Sequence, residues 1–138
     1  TIRTYPTRLT EENAQEIISQ YDIVVDGCDN FSIRYLINDI CAEMGKVYVY
    51  GAICGFEGQV SVFHYGEEKK SYRDLYPDEE EMRRMPPPPK GVMGITPAVT
   101  GSIEATEVLK IICGFGEVLS GKLWTIDLRT LQSNKFSL

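Results

Sequence analysis

Apolar positions along the chain follow two rhythms. From Asn30 to Met44 they fall at Ile33, Leu36, Ile37, Ile40, Cys41 and Met44. This i, i+3, i+4, i+7, i+8, i+11 spacing is one stripe of an α-helix. Gly45 stands where such a helix takes its C-terminal cap. Before it, Ile23-Val24-Val25 is an unbroken apolar run between Asp22 and Asp26, the pattern of a parallel strand covered on both faces. Val47–Tyr50 reads as the next strand, 51–55 as a glycine-rich turn with room for close backbone approach, and Gln59–Tyr65 as an alternating strand. Upstream, Ile2–Tyr5 reads as a short strand, and Thr10 as the N-cap of a helix over about 11–20 with acids in its first turn. Downstream, the pattern predicts a helix over about 97–113 stopped by Gly114. Two closing strands follow, 122–128 and 133–138.

Residues 66–90 break the rhythm. They hold Glu67-Glu68-Lys69-Lys70, Asp78-Glu79-Glu80-Glu81, Arg83-Arg84 and the run Pro86–Pro89. A loop this long inside a compact domain is usually functional or disordered. Its acidic run reads as a solvated loop face, and its prolines make at most a short polyproline II rod. The element order predicts an α/β fold: a Rossmann-like mixed sheet, parallel first and antiparallel at the C-terminal end, with helices on both faces.

The 138 residues are enough for one domain with a core. A net charge of −6 argues against nonspecific nucleic-acid binding, which needs a basic footprint. No apolar run approaches the roughly 20 residues of a membrane helix, and no signal-peptide pattern opens the chain. Cys28, Cys41, Cys54 and Cys113 are scattered through apolar or small-residue contexts. They read as reduced thiols of a cytoplasmic protein, not a disulfide framework.

The chemistry concentrates at Asp26-Gly27-Cys28-Asp29-Asn30. A strand-to-helix turn is where doubly wound α/β proteins bind nucleotides. Asp29 can hold magnesium on a nucleotide, because magnesium uses one or two carboxylates plus phosphate oxygens. Equally, Asp29 or Asn30 can cap the following helix, and one residue can do both. Asp26 and Asp29 raise the Cys28 thiol pKa and disfavour a nucleophile there. Cys54 lies in the glycine turn, and Cys41 and Cys113 read as core residues. His64, the only histidine, shares a strand face with Val60 and Val62 and reads as structural. No zinc-ligand spacing is present. Glu57-Gly58-Gln59 is either a set of polar groups near a ligand or a glycine bulge. The chain lacks a Gly-x-Gly-x-x-Gly fingerprint.

Five blocks occur in order: Val25-Asp26-Gly27-Cys28-Asp29-Asn30-Phe31-Ser32-Ile33-Arg34; Gly51-Ala52-Ile53-Cys54-Gly55-Phe56-Glu57-Gly58-Gln59; Tyr72-Arg73-Asp74-Leu75-Tyr76-Pro77; Gly91-Val92-Met93-Gly94; and Gly101-Ser102-Ile103-Glu104-Ala105-Thr106-Glu107. Together they resemble the C-terminal half of the ThiF/MoeB/HesA family, relatives of ubiquitin-activating enzymes, over essentially the whole chain. The thiazole-branch members are the nearest match.

The resemblance implies an adenylyltransferase that uses ATP and Mg2+ to adenylate the C-terminal glycine of a ubiquitin-like sulfur-carrier protein. The product feeds thiamine-thiazole or molybdopterin synthesis. It places the family's catalytic, magnesium-side aspartate on Asp29, with Asn30 beside it at the ATP. It also implies a homodimer, and it makes 66–90 a mobile crossover loop over the carrier's tail. By the same resemblance, residues 1–138 are the C-terminal portion of one adenylating domain. The N-terminal half with its glycine-rich ATP loop lies upstream, and this portion is inactive alone. The alternative is a noncatalytic carrier-binding module or pseudoenzyme subunit. Ser71 and Asp74 stand where many members have a zinc-binding cysteine pair, so zinc is not expected. Pro86–Lys90 stands where many have a loop cysteine.

Overall fold

The computed structural model describes residues 1–138. Its elements run α1 (Ala14–Ser19), β1 (Ile23–Val25), α2 (Phe31–Met44), β2 (Val47–Cys54), β3 (Glu57–Phe63), α3 (Tyr72–Leu75), α4 (Glu79–Arg84), α5 (Ile95–Cys113), β4 (Lys122–Asp127) and β5 (Gln132–Ser137). The strands form one sheet in sequence order, with β1 parallel to β2 and every later pair antiparallel. This is the mixed α/β sheet that the sequence predicts.

The pleat sorts side chains onto two faces. Tyr48 and Tyr50 of β2 and Phe63 of β3 join Tyr35, Ile37 and Cys41 of α2 in an aromatic core. Val49, Val60 and Val62 point the other way, against Ile103, Val108 and Ile111 of α5. On that face α5 comes very close to the sheet. A Cβ on Gly51 would overlap the Glu104 carboxyl, and one on Gly58 would overlap the Thr100 hydroxyl. Gly51 therefore lies in a strand and not in a turn: β2 continues to Cys54. The hairpin turn is only Gly55-Phe56, between the paired residues Cys54 and Glu57. The predicted close approach is real, but a helix makes it.

Other expectations shift for physical reasons. Residues 2–5 find no neighbouring strand. Their anchors are side chains, with Arg3 Nη1 and Tyr5 OH both donating to Gln20 Oε1 at 2.9 and 3.1 Å. The first helix starts at Ala14 because Asn13 Oδ1 accepts from the Thr10 N–H at 2.8 Å and holds the preceding turn. In the structure β1 pairs on one side only, and Val25 is 48% exposed. Strand β3 ends at Phe63, since His64 adopts φ 61° and turns the chain off the sheet.

The segment 66–90 contains α3 and α4. Tyr72 of α3 is fully buried in the aromatic core. Ser71 and Asp74 form a capping box at the start of α3. The acidic run is not a loop face. Asp78 caps α4 by accepting from the Glu81 N–H at 2.9 Å, and Glu79–Glu81 fill the first turn, where carboxylates complement the helix dipole. Cys113, the last residue of α5, is exposed and not core, whereas Cys41 is buried as expected.

Candidate functional site

The strand-to-helix turn is built from the inside out. Asp26 is 4% exposed. Its Oδ2 accepts from Tyr48 OH at 2.9 Å and Arg34 Nε at 3.1 Å, and its Oδ1 accepts from the Cys28 N–H at 2.7 Å. Its own N–H donates to the Val49 carbonyl at 2.9 Å. Arg34, on the first turns of α2, also donates from Nη2 to the Cys28 carbonyl at 2.7 Å. A buried charge pair of this kind is tolerated when hydrogen bonds satisfy both partners. Asp26 is thus consumed as an anchor.

The two neighbouring candidates divide the remaining work. Asn30 caps α2, its Oδ1 accepting from the Ile33 N–H at 3.0 Å. Asp29 is exposed, and its carboxylate accepts only from Asn30 Nδ2 at 3.2 Å. The cap reading therefore belongs to Asn30, which leaves the Asp29 carboxylate free of any cation. Cys28 beside them is a poor nucleophile. Burial first, and then the Asp26 carboxylate, push its thiol up to about 12. Asp29 is not among the causes.

Asp29, Asn30 and Ser32 open one end of a groove of about 1260 Å³. Its floor is the β2–β3 hairpin: Tyr50, Ala52, Ile53, Gly58 and Gln59. Gly58 sits in regular register opposite Ile53, so it is no bulge. Its role is to seat Thr100 of α5. The far end is polar, with Thr125, Asp127 and Asn134 of β4 and β5. Tyr76, Met82, Arg83, Met85 and the four prolines form the roof. Gln59 joins floor to roof, donating from Nε2 to Tyr50 OH at 2.6 Å and Tyr76 OH at 3.0 Å.

The roof is moored to α2 by residues that sequence reasoning passed over. Tyr35 OH donates to the Tyr76 carbonyl at 2.7 Å. Asn38 is 1% exposed, and its Oδ1 accepts from the Tyr72 N–H at 2.9 Å and Ser71 Oγ at 3.1 Å. His64 Nε2 lies 3.0 Å from the same oxygen. His64 is thus a half-buried member of this mooring, with burial lowering its pKa, and it does not line the groove. Arg34 and Asn38 did leave a sequence signal: polar residues four apart, each next to the apolar stripe of α2. No His, Cys, Asp and Glu side chains gather in threes as a metal cage would require. No helix is long and apolar enough to cross a membrane.

Comparison with known proteins agrees with this architecture. A crystal structure of E. coli MccB with ATP shares the fold at a TM-score of 0.74 and 17% identity, over 95% of this chain and 41% of that one. The sulfur carrier protein adenylyltransferase of Thermus thermophilus is 46% identical over 91% of this chain and 48% of its own length. A probable molybdopterin-synthase adenylyltransferase of Pyropia yezoensis is 45% identical over 99% of this chain and 36% of its own. The chain thus spans less than half of the length of the curated relatives it matches. The ThiF family profile matches residues 1–138 from end to end, and the chain belongs to the ThiF family.

Proposed function

We propose that the protein carrying this chain adenylates the C-terminal glycine of a ubiquitin-like sulfur-carrier protein, with ATP and magnesium. The carrier carboxylate would attack the α-phosphorus of ATP, pyrophosphate would leave, and the acyl-adenylate would feed thiazole or molybdopterin synthesis. The observation that carries this reading is the free, exposed Asp29 carboxylate at the mouth of a long roofed groove. The names of the two relatives, a sulfur carrier protein adenylyltransferase and a molybdopterin-synthase adenylyltransferase, support the same reaction class.

Asp29, with Asn30 beside it, would hold magnesium on the ATP phosphates. A site without a cluster of three ligating side chains fits an ion that keeps its waters and takes the rest of its shell from phosphate. When bound, that ion supplies charge neutralisation at the phosphates. Asp26 and Arg34 fix the turn that orients Asp29. The groove under residues 76–89, within the crossover segment 66–90, would take the carrier's extended tail and shield it from water. The exposed outer face of α5, with Leu109 52% and Ile112 67% exposed, supports a homodimer. The four free cysteines support a cytoplasmic setting.

A noncatalytic carrier-binding module is the second reading. It is favoured by the groove's cations: Arg34 is held by Asp26 and Arg83 by Glu79, so neither is free for phosphate. Pyrophosphate exchange into ATP by the full-length protein decides between them. Exchange that appears only with a carrier ending in Gly-Gly supports adenylation. Carrier binding by titration without ATP binding or exchange supports the module.

A further inference from the structure

The roof of the groove has two parts that are held differently. Helix α3 is moored redundantly: Tyr72 is buried, Asn38 accepts from its backbone, and Tyr35 holds its C-terminal carbonyl. Helix α4, whose Met82 and Arg83 line the groove, has fewer hydrogen bonds to other elements. Met82 packs into the core. The helix also packs against α2, but its one hydrogen-bonded link to another helix is Glu79, held by Arg73.

Arg73 bridges three helices. Nε donates to Asp39 Oδ1 of α2 at 2.8 Å, and Nη2 donates to Asp39 Oδ2 at 2.6 Å and to Glu79 Oε2 of α4 at 2.9 Å. Its guanidinium carbon lies 4.8 Å from the centre of the Tyr35 ring. The other oxygen of Glu79, Oε1, accepts from Arg83 Nη2 at 2.6 Å. The result is a chain of alternating charge, Asp39–Arg73–Glu79–Arg83, that starts on α2 and ends in the groove wall. Exposed ion pairs usually contribute little. This one is a bidentate fork laid on an aromatic ring within a network, the geometry in which an arginine holds a fixed position. The hydrogen bonds from Arg73 hold the Asp39 carboxyl below its ordinary range. Neither Asp39 nor Arg73 lines the groove.

We propose that Arg73 is a positioning residue: by fixing α4 against α2 it sets the width of the groove beneath Met82 and Arg83, and so governs carrier affinity without acting on the Asp29 end. This rests on the adenylation reading, which assigns the groove to the carrier's tail.

The test uses the full-length protein with Arg73→Ala, Asp39→Asn and the double variant. The probe is a ubiquitin-like carrier ending in Gly-Gly, read by pyrophosphate exchange. The strut predicts a carrier KM raised about tenfold in each variant, with the double no worse than either single, as coupled residues require. The ATP KM and the kcat at saturating carrier stay at wild-type values. Met82, Arg83 and Arg84 amides exchange hydrogen faster, while α2 amides do not. Should Arg73→Ala fail to fold, Asp39→Asn carries the same test. An unchanged carrier KM, an equal shift in kcat or ATP KM, or additive effects in the double variant would overturn the proposal. If the wild type shows no carrier-dependent exchange, the adenylation reading fails instead. The strut is then judged on hydrogen exchange alone, and unchanged α4 amides would refute it.

Discussion

The two faces of the sheet differ in how they treat buried polar groups. On the α2 side, both buried charges are satisfied: Asp26 and Arg34 hold each other, and Tyr48, Cys28 and Val49 take up the remaining bonds. Asn38 is likewise saturated, and only the Tyr72 hydroxyl lacks a partner. On the α5 side, buried Glu107 and Thr96 find partners, but Thr100 Oγ1 and Glu104 Oε1 are both buried without any, over Gly58 and Gly51. A satisfied polar network specifies geometry, and an unsatisfied one costs stability. The face with the satisfied network is the one that builds the groove and frees Asp29. The other face packs a helix closely and bears the penalty.

Removing a partner on the satisfied side should have the largest effect. Arg34→Ala leaves Asp26 buried and unpaired and lets go of the Cys28 carbonyl. We expect a loss of about 3–5 kcal/mol by chemical denaturation. A loss within experimental error of zero would mean that the pair does not hold the turn.

The unsatisfied side should respond in the opposite direction. Burial first, and then the Asp26 carboxylate, raise the Glu104 pKa to about 7. Glu104 is 6% exposed. Its folded pKa therefore lies above its unfolded value of about 4.3, so the folded state binds the proton more tightly. Stability from this group is fully present below the unfolded pKa. It falls as pH rises towards 7 and is flat beyond. Glu104→Gln should remove that slope and gain about 1–3 kcal/mol at pH 8. An unchanged slope would show that the carboxyl finds a partner in solution.

The smallest effect belongs to the cap. Asn30→Ala should cost about 1 kcal/mol, and Asn30→Asp, which keeps the acceptor, much less. Equal costs would mean that the side-chain oxygen does not cap α2.

The same contrast explains what the sequence could reveal. Helix α2 was legible because its signals are local: a stripe, an N-cap and a glycine with φ 64°. The change from a parallel start to an antiparallel end followed from the strand pattern, but the pairing of β3 with β4 did not, because three helices separate them in the chain. Helices α3 and α4, of four and six residues, are too short to show a period. Their stability comes from Tyr72 in a distant aromatic core and from Asn38 and Asp39 on α2. Gly51 was misread because a glycine required by a packed helix looks, in sequence, like a glycine required by a turn. At the site, the residue types of Asp26, Asp29 and Asn30 were visible together. Their division into anchor, free carboxylate and cap was not, because it depends on Tyr48 and Arg34 arriving from other elements.

That division is the central claim, and Asp29→Ala in the full-length protein tests it most directly. Carrier-dependent pyrophosphate exchange should fall by about 100-fold or more, the scale of losing one charge-stabilising group. The melting temperature should stay unchanged, since Asp29 anchors nothing else. Wild-type exchange from the variant would contradict the account, and so would a loss of exchange that tracks a loss of folding.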